Sequence, residues 1–170
     1  GNYINTAADG MTSLHQGGSG IGLNAGSDNA LIGGSDPADR NIITAGDFSG
    51  IQIVGSSLDP VQNTNIKGNN IFLAKDGVTS LPRDGTWDFN LGSGITAYDV
   101  DGLLIGGDNV GEGNIIENAN SGNLSLSNAQ GIHLNGQNTH TVNNVTILGN
   151  RIIGNDSGIT LRGSGISNVS

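Results

Sequence analysis

The chain has no cysteine, three prolines and few aromatic side chains: one Trp, two Tyr and three Phe in 170 residues. Without cysteine, a disulfide framework and a thiolate metal site are excluded. With 34% apolar and 4% aromatic residues, a compact core built on large side chains is excluded as well. Cations are equally scarce. Six Lys and Arg stand against 15 Asp and Glu, giving a net charge of -9 and a pI near 4.3. The six, Arg40, Lys67, Lys75, Arg83, Arg151 and Arg162, are scattered along the sequence. Nucleic acid and anionic membrane reward clustered cations, so neither is an expected partner. No apolar run reaches the length of a transmembrane helix and no apolar signal segment is present, so no membrane insertion is expected.

What the chain does have is glycine, 30 residues of it, and small β-branched clusters that recur. A repeat architecture reconciles the two, because each repeat buries a narrow apolar stripe against its neighbours and needs no large aromatic. Two patterns alternate. Asn-x-Ile stands at Asn2/Ile4, Asn41/Ile43, Asn69/Ile71, Asn114/Ile116 and Asn150/Ile152. Gly-Ile begins at Gly20, Gly50, Gly94, Gly131 and Gly158, each time followed two residues later by Leu, Ile or Ala. Both are period-two strand signatures.

From each Gly-Ile to the next Asn-x-Ile the separations are 21, 19, 20 and 19 residues, whereas from Asn-x-Ile to the next Gly-Ile they are 18, 9, 25, 17 and 8. The first part of the turn reads as fixed in length, and the long loops are expected at one corner. A third strand lies within the fixed part, at Leu31-Ile32-Gly33, Ile66-Lys67-Gly68, Leu104-Ile105-Gly106 and Ile147-Leu148-Gly149. Three strands and a minimal turn of 28 residues, Asn41 to Asn69, fit an all-β, three-sheet, right-handed parallel β-helix of about four to five coils. Residues 1–170 read as a single β-helix domain. With Gly1 in place of a methionine and a last segment inside the pattern, it reads as a mature product or a fragment of a longer solenoid.

The expected inward positions are Ile4, Ile21, Leu23, Leu31, Ile43, Ile51, Ile53, Ile66, Ile71, Ile95, Leu104, Ile116, Ile132, Leu134, Ile147, Ile152, Ile159 and Leu161. At the corners, Gly33-Gly34, Gly68-Asn69, Gly106-Gly107 and Gly149-Asn150 supply residues that tolerate positive φ, and a column of Asn amides can bond from coil to coil. A longer unit is duplicated as well. Ala8–Leu14 returns 67 residues on as Lys75–Leu81, and Ile32-Gly33-Gly34 with Asn41-Ile42-Ile43 returns 73 residues on as Ile105-Gly106-Gly107 with Asn114-Ile115-Ile116.

Gly1-Asn2-Tyr3-Ile4, the Asp-Gly-x-Thr-Ser-Leu segments, Leu31-Ile32-Gly33-Gly34, Asn41-Ile42-Ile43 and the Gly-Ile strands resemble the secreted bacterial right-handed β-helix repeat proteins of the pectin-lyase-like superfamily. The resemblance spans nearly the whole chain. It implies the fold, an extracellular or cell-surface location, and either a polypeptide of structural role or a polysaccharide lyase, hydrolase or epimerase. Members carry glycine where Asn5 stands here, a departure that touches only the detail of that turn.

Polysaccharide cleavage would need acidic pairs, or a cation and a base. The hydrolase patterns that the resemblance implies, Asn-Thr-Asp, Asp-Asp, Gly-His-Gly and Arg-Ile-Lys, are missing from the sequence. Asp99 and Asp101 read as a solvated turn and His133 as an exposed strand histidine level with Gln52, Thr96 and Thr160, while His15 and His140 stand in polar loop sequence without metal spacing. Calcium is the one cofactor with a candidate site, at Asp36 and Asp39 in one turn and Asp108 and Glu112 in its counterpart; solvated or capping turns are the plainer reading. The glycosylation-like triplets at Asn123, Asn144, Asn155 and Asn168 are what an Asn- and Ser-rich chain throws up by chance.

Two functions follow. The first is a non-catalytic extracellular or cell-surface scaffold or adhesive module, contacting a polysaccharide or cell-surface glycan and stacking end to end. The second is a polysaccharide-active enzyme with its catalytic residues in corner loops or outside this stretch. A ligand surface is expected on the Gly-Ile sheet beside the long insertion 73–93, at Trp87, Tyr98, His133, Asn135 and Arg162, because aromatic faces beside amide and guanidinium groups suit a sugar.

Overall fold

A computed structural model describes residues 1–14, 17–45, 48–81, 92–117 and 129–170. Its strands form three parallel sheets. Sheet 1 stacks β1 (Tyr3–Ile4), β4 (Ile42–Ile43), β8 (Asn70–Ile71), β11 (Ile115–Glu117) and β14 (Arg151–Ile153). Sheet 2 stacks β2 (Ile21–Asn24), β5 (Ile51–Val54), β9 (Ser93–Tyr98), β12 (Gln130–Asn135) and β15 (Ser157–Arg162). Sheet 3 stacks β3 (Leu31–Gly33), β7 (Asn65–Lys67), β10 (Val100–Gly106), β13 (Val142–Leu148) and β16 (Ile166–Val169), with β6 (Val61–Gln62) also paired to β10. The chain visits the three in the same cyclic order throughout, which makes a parallel β-solenoid. Among the described residues the only helix is a short 3-10 turn, Pro37–Asp39, and none is long and apolar enough to cross a membrane.

One apolar column runs between the sheets. Ile43, Ile71 and Ile116 enter it from sheet 1, Ile51, Ile53, Ile95, Ile132 and Leu134 from sheet 2, and Ile32, Ile66 and Ile105 from sheet 3. Full burial of each such side chain contributes roughly 1.5–3 kcal/mol. Two expected core residues belong elsewhere. Leu31 is 65% exposed and Leu104 half-buried, because Ile32, Ile66, Ile105 and Ile147 are the register partners, and Leu31 and Leu104 share the outward row with Asn65 and Thr146. At the first and last strands, Ile4, Ile21, Leu23, Ile147 and Ile152 are half-buried against the column. Ile159 and Leu161 hold the inward register of Ile132 and Leu134 but are 46% and 48% exposed, since β15 has a neighbour on one side only.

The constant spacing between Gly-Ile and Asn-x-Ile hides two corners that compensate. From the Gly to the inward Ile of sheet 3 there are 12, 16, 11 and 16 residues (20 to 32, 50 to 66, 94 to 105, 131 to 147). From that Ile to the next ladder Asn there are 9, 3, 9 and 3 (32 to 41, 66 to 69, 105 to 114, 147 to 150). Length therefore varies at all three corners rather than one. The alternation lets the insertions 34–40 and 107–113 reach each other over the short corner at Gly68, where a Cβ would lie 2.1 Å from Gly34 O and 2.6 Å from Gly111 O. Arg40 Nε donates to Gly68 O (3.1 Å) and Gly68 N donates to Glu112 O (2.8 Å), closing that corner.

The asparagine column is a continuous ladder. Asn2 Nδ2 donates to Asn41 Oδ1 (3.0 Å), Asn41 Nδ2 to Asn69 Oδ1 (2.9 Å), Asn69 Nδ2 to Asn114 Oδ1 (3.0 Å) and Asn114 Nδ2 to Asn150 Oδ1 (2.8 Å). The same amides cap sheet 3 carbonyls: Asn69 reaches Ile32 O, Asn114 Ile66 O and Asn150 Ile105 O, at 2.9, 2.8 and 2.7 Å. Buried corner backbone is thereby satisfied by side chains instead of water. Asn5 adopts φ 56, a conformation that asparagine tolerates nearly as glycine does.

The duplicated Asp-Gly segments are two small hairpins, closed by the antiparallel bridges Thr6–Ser13 and Leu73–Ser80. Asp76 accepts from Val78 N, Thr79 N and Thr79 Oγ1 at 2.7–2.9 Å, and Asp9 from Met11 N at 2.8 Å. Lys75 N donates to Gly10 O (3.0 Å), so one hairpin sits on the other. Ile42, on the outer side of sheet 1, is buried with Ala74, Leu81 and Met11 in a satellite core. The described start of the long insertion thus folds back on the solenoid.

Candidate functional site

The outer side of sheet 2 carries the row Gly22, Gln52, Thr96, His133 and Thr160, aligned by strand register. His133 is not the exposed strand residue that its polar neighbours led one to expect. It is 3% exposed, as Thr96 is 1%, and its Nε2 has no hydrogen-bond partner. Burial, with the Arg162 charge second, pushes its pKa below 6.5, so it is held neutral. Ser49 Oγ and Thr96 Oγ1 share a hydrogen bond of 2.7 Å beside it.

At the end of the sheet stands Tyr98. Its ring makes an edge contact with His133 (centroids 6.3 Å apart) and another with His140 (5.4 Å). Ala97 pairs with Leu134, so Tyr98 and Asn135 follow side by side, and Asn135 pairs in turn with Arg162. Asn135 Oδ1 accepts from Gln137 N (2.9 Å) and Arg162 is exposed. Four of the five residues expected in a ligand surface, Tyr98, His133, Asn135 and Arg162, therefore share one side of the solenoid; Trp87 lies outside the described residues.

Asp99 and His140, neither placed in a site from sequence, lie beside Tyr98. Asp99 is a bend residue at φ 48, 2% exposed, and not a solvated turn. Its Oδ1 accepts from Thr141 N (2.7 Å) and its Oδ2 faces His140 Nδ1 at 2.6 Å. A carboxylate on Nδ1 fixes the tautomer and plane of the ring and turns Nε2 outward, the arrangement of an oriented general base. Because the two residues are 41 apart, their contact left no local signature. Asp101, by contrast, accepts from Asn144 Nδ2 at 2.6 Å.

The four acids with calcium-like spacing have local partners or stand apart. Asp36 caps the 3-10 turn by accepting from Ala38 N (2.8 Å). Asp39 folds against Gly34, whose Cβ would meet its Oδ2 at 2.5 Å. Glu112, its counterpart, accepts from Lys67 Nζ (2.9 Å) and from Asn109 N and Nδ2 (3.1 and 3.0 Å), and Lys67 first, then Asn109, holds its carboxyl below the ordinary range. Asp108 is exposed. Among the described residues no three His, Asp or Glu side chains gather as a metal site would require. The triplet at Asn144 belongs to a left-handed bend column, with Asn144 and Asn168 at φ 52 and 51, and Asn168 donating to Asn144 at 3.0 Å.

No protein-family model, no curated protein and no solved structure matches the chain. The chain is an all-β protein with three parallel sheets, with Tyr98, Asn135 and Arg162 level at the strand ends of sheet 2 and buried His133 two residues before Asn135.

Proposed function

We infer that the chain is a stretch of right-handed parallel β-helix of the pectin-lyase-like kind, acting outside the cell or at its surface as a non-catalytic scaffold that contacts glycans and stacks end to end. The observation that carries this reading is the use made of the polar side chains. Asp36, Asp76, Asp101 and Glu112 all hold their own corners together, while Tyr98, Asn135 and Arg162 line one rigid side. An aromatic edge beside amide and guanidinium donors matches the mixed apolar and hydroxyl surface of a sugar. Stacking is supported by strands β1–β3 on one side and β14–β16 on the other, each paired along one edge only, and by the exposure of Ile159 and Leu161 on β15.

Affinity electrophoresis and a glycan array test the surface with the wild type, Tyr98→Ala and Trp87→Ala. Loss of retention in Tyr98→Ala is expected. A wild type that binds a glycan with both variants unchanged would remove the proposed surface.

The enzyme reading has one specific observation behind it, the Asp99–His140 pair beside Tyr98. In that reading Asp99 orients His140, whose Nε2 takes a proton from a polysaccharide substrate or its attacking water. Reducing-end and unsaturated-product assays over a polysaccharide panel, with and without calcium, decide between the two. Product formation that His140→Gln abolishes establishes the enzyme.

A further inference from the structure

The scattered cations of the sequence do not stay scattered. Arg40, at the end of the 34–40 insertion, and Lys75, at the start of the second hairpin, line one cleft of about 380 Å³ on the outer side of sheet 1. Tyr3 and Ile42, register partners on β1 and β4, contribute an aromatic and an apolar wall, and Pro37 and Ala38 close one side. The hairpin stack that joins Lys75 N to Gly10 O brings Lys75 here from a distant part of the sequence.

In a chain with 15 acids and six Lys and Arg, cations are expected to be neutralised. These two are not: among the described residues the ion pairs are Lys67–Glu112 and Asp99–His140. The acids nearby in sequence are turned elsewhere. Asp36 and Asp76 accept from their own turns, Asp39 folds against Gly34, and none of the three lines the cleft. Arg40 is held in place by the Nε donation to Gly68 O, which leaves its two terminal nitrogens for an anion. The volume falls within the range of small-molecule sites.

We propose that this cleft binds a small organic anion, a ring compound bearing one carboxylate, which Arg40 and Lys75 hold while the ring packs on Tyr3 over Ile42. Two cations that make no ion pair among the described residues supply the charge, and the half-exposed tyrosine beside buried Ile42 supplies the apolar contact. The site lies on a different sheet from Tyr98 and does not depend on the glycan reading.

The test is an NMR titration that follows the Tyr3 ring and the Arg40 Nε signal, with benzoate, the neutral benzamide and inorganic phosphate as probes. Benzoate is expected to give saturable shifts at both residues, and benzamide and phosphate to bind at least about tenfold more weakly, each lacking one half of the recognition. Lys75→Gln, at an exposed position, should weaken benzoate about fivefold or more, and raising the salt should weaken it further. Arg40→Gln should do the same, with its melting temperature checking that the Gly68 corner still closes. The proposal is overturned by the absence of saturable shifts, by benzamide binding as well as benzoate, by phosphate doing so, or by benzoate binding that Lys75→Gln leaves unchanged.

Discussion

Ile105 and Ile147 are backbone partners on adjacent parallel strands, and both side chains enter the column between the sheets, Ile105 fully buried. Leu104, one residue earlier, pairs with Thr146 on the outward row. The difference predicts opposite outcomes for neighbouring substitutions. Ile105→Ala should cost about 2–5 kcal/mol, whereas Leu104→Ala and the more exposed Leu31→Ala should cost under about 1 kcal/mol. Urea unfolding of the three variants checks this; equal losses at 104 and 105 would mean the register is wrong.

Asn114 accepts from both Asn69 N and Asn69 Nδ2 at 3.0 Å, and is completely buried. Asn114→Ala strands Asn69 N, takes one of three acceptors from Asn69 Nδ2 and frees Ile66 O, so a loss of about 2–3 kcal/mol is expected. Asn5→Gly should be nearly neutral, since that residue keeps the left-handed conformation available. Equilibrium unfolding, backed by amide exchange at Asn69, distinguishes the two.

Two glycines should respond in opposite ways. At Gly106, with φ 91, a Cβ would sit 1.9 Å from Leu148 O, and Gly106→Ala should destabilise by about 2 kcal/mol or more. Gly22 lies on β2 with nothing within 4 Å of its Cβ position. Gly22→Thr should therefore stabilise by about 0.5 kcal/mol, through β-propensity and a less free unfolded chain. Melting temperatures moving in the same direction would contradict the backbone assignment.

His133, Glu112 and Asp76 all have lowered native pKa values and together shape the pH response. His133 has a native pKa lowered below 6.5, so the unfolded chain takes up the proton first. Its contribution is fully present above 6.5 and is lost as pH falls through the lowered native value. Glu112 is likewise lowered from 4.5, and its contribution disappears as pH falls through the carboxylate range. His133→Gln should flatten the stability profile below pH 6.5, and Lys67→Met should flatten the limb below 4.5. A wild-type profile level from pH 7.5 to 5 would show that His133 is not buried neutral.

Much of this architecture could be read from spacing, because the apolar column takes an aliphatic residue, most often Ile, at each inward position and the corners take Asn or Gly. The ladder from Asn2 to Asn150 followed from that alone. The sheet 3 register did not, since Leu31-Ile32-Gly33 and Ile66-Lys67-Gly68 both place an aliphatic residue before glycine, and only strand pairing says which aliphatic faces in. The constant 19–21 residue spacing misled for a different reason: two corners changed length in opposite senses and their sum concealed it. Winding brings Asp99 into contact with His140 and sets Arg40 and Lys75 in one cleft, though no short motif connects either pair. Trp87, expected to lead the ligand surface, lies outside the described residues.

The asparagine ladder also has a direction. Every side-chain amide in it donates towards the residue-150 end, so the dipoles add along the solenoid instead of cancelling. Turning one amide over would set oxygen against oxygen on one side and NH2 against NH2 on the other. The column therefore has two self-consistent states, all forward or all reversed, and the sheet 3 carbonyls of Ile32, Ile66 and Ile105 select the forward one. A solenoid whose backbone is nearly the same from turn to turn thus acquires a direction along its axis that its side chains carry.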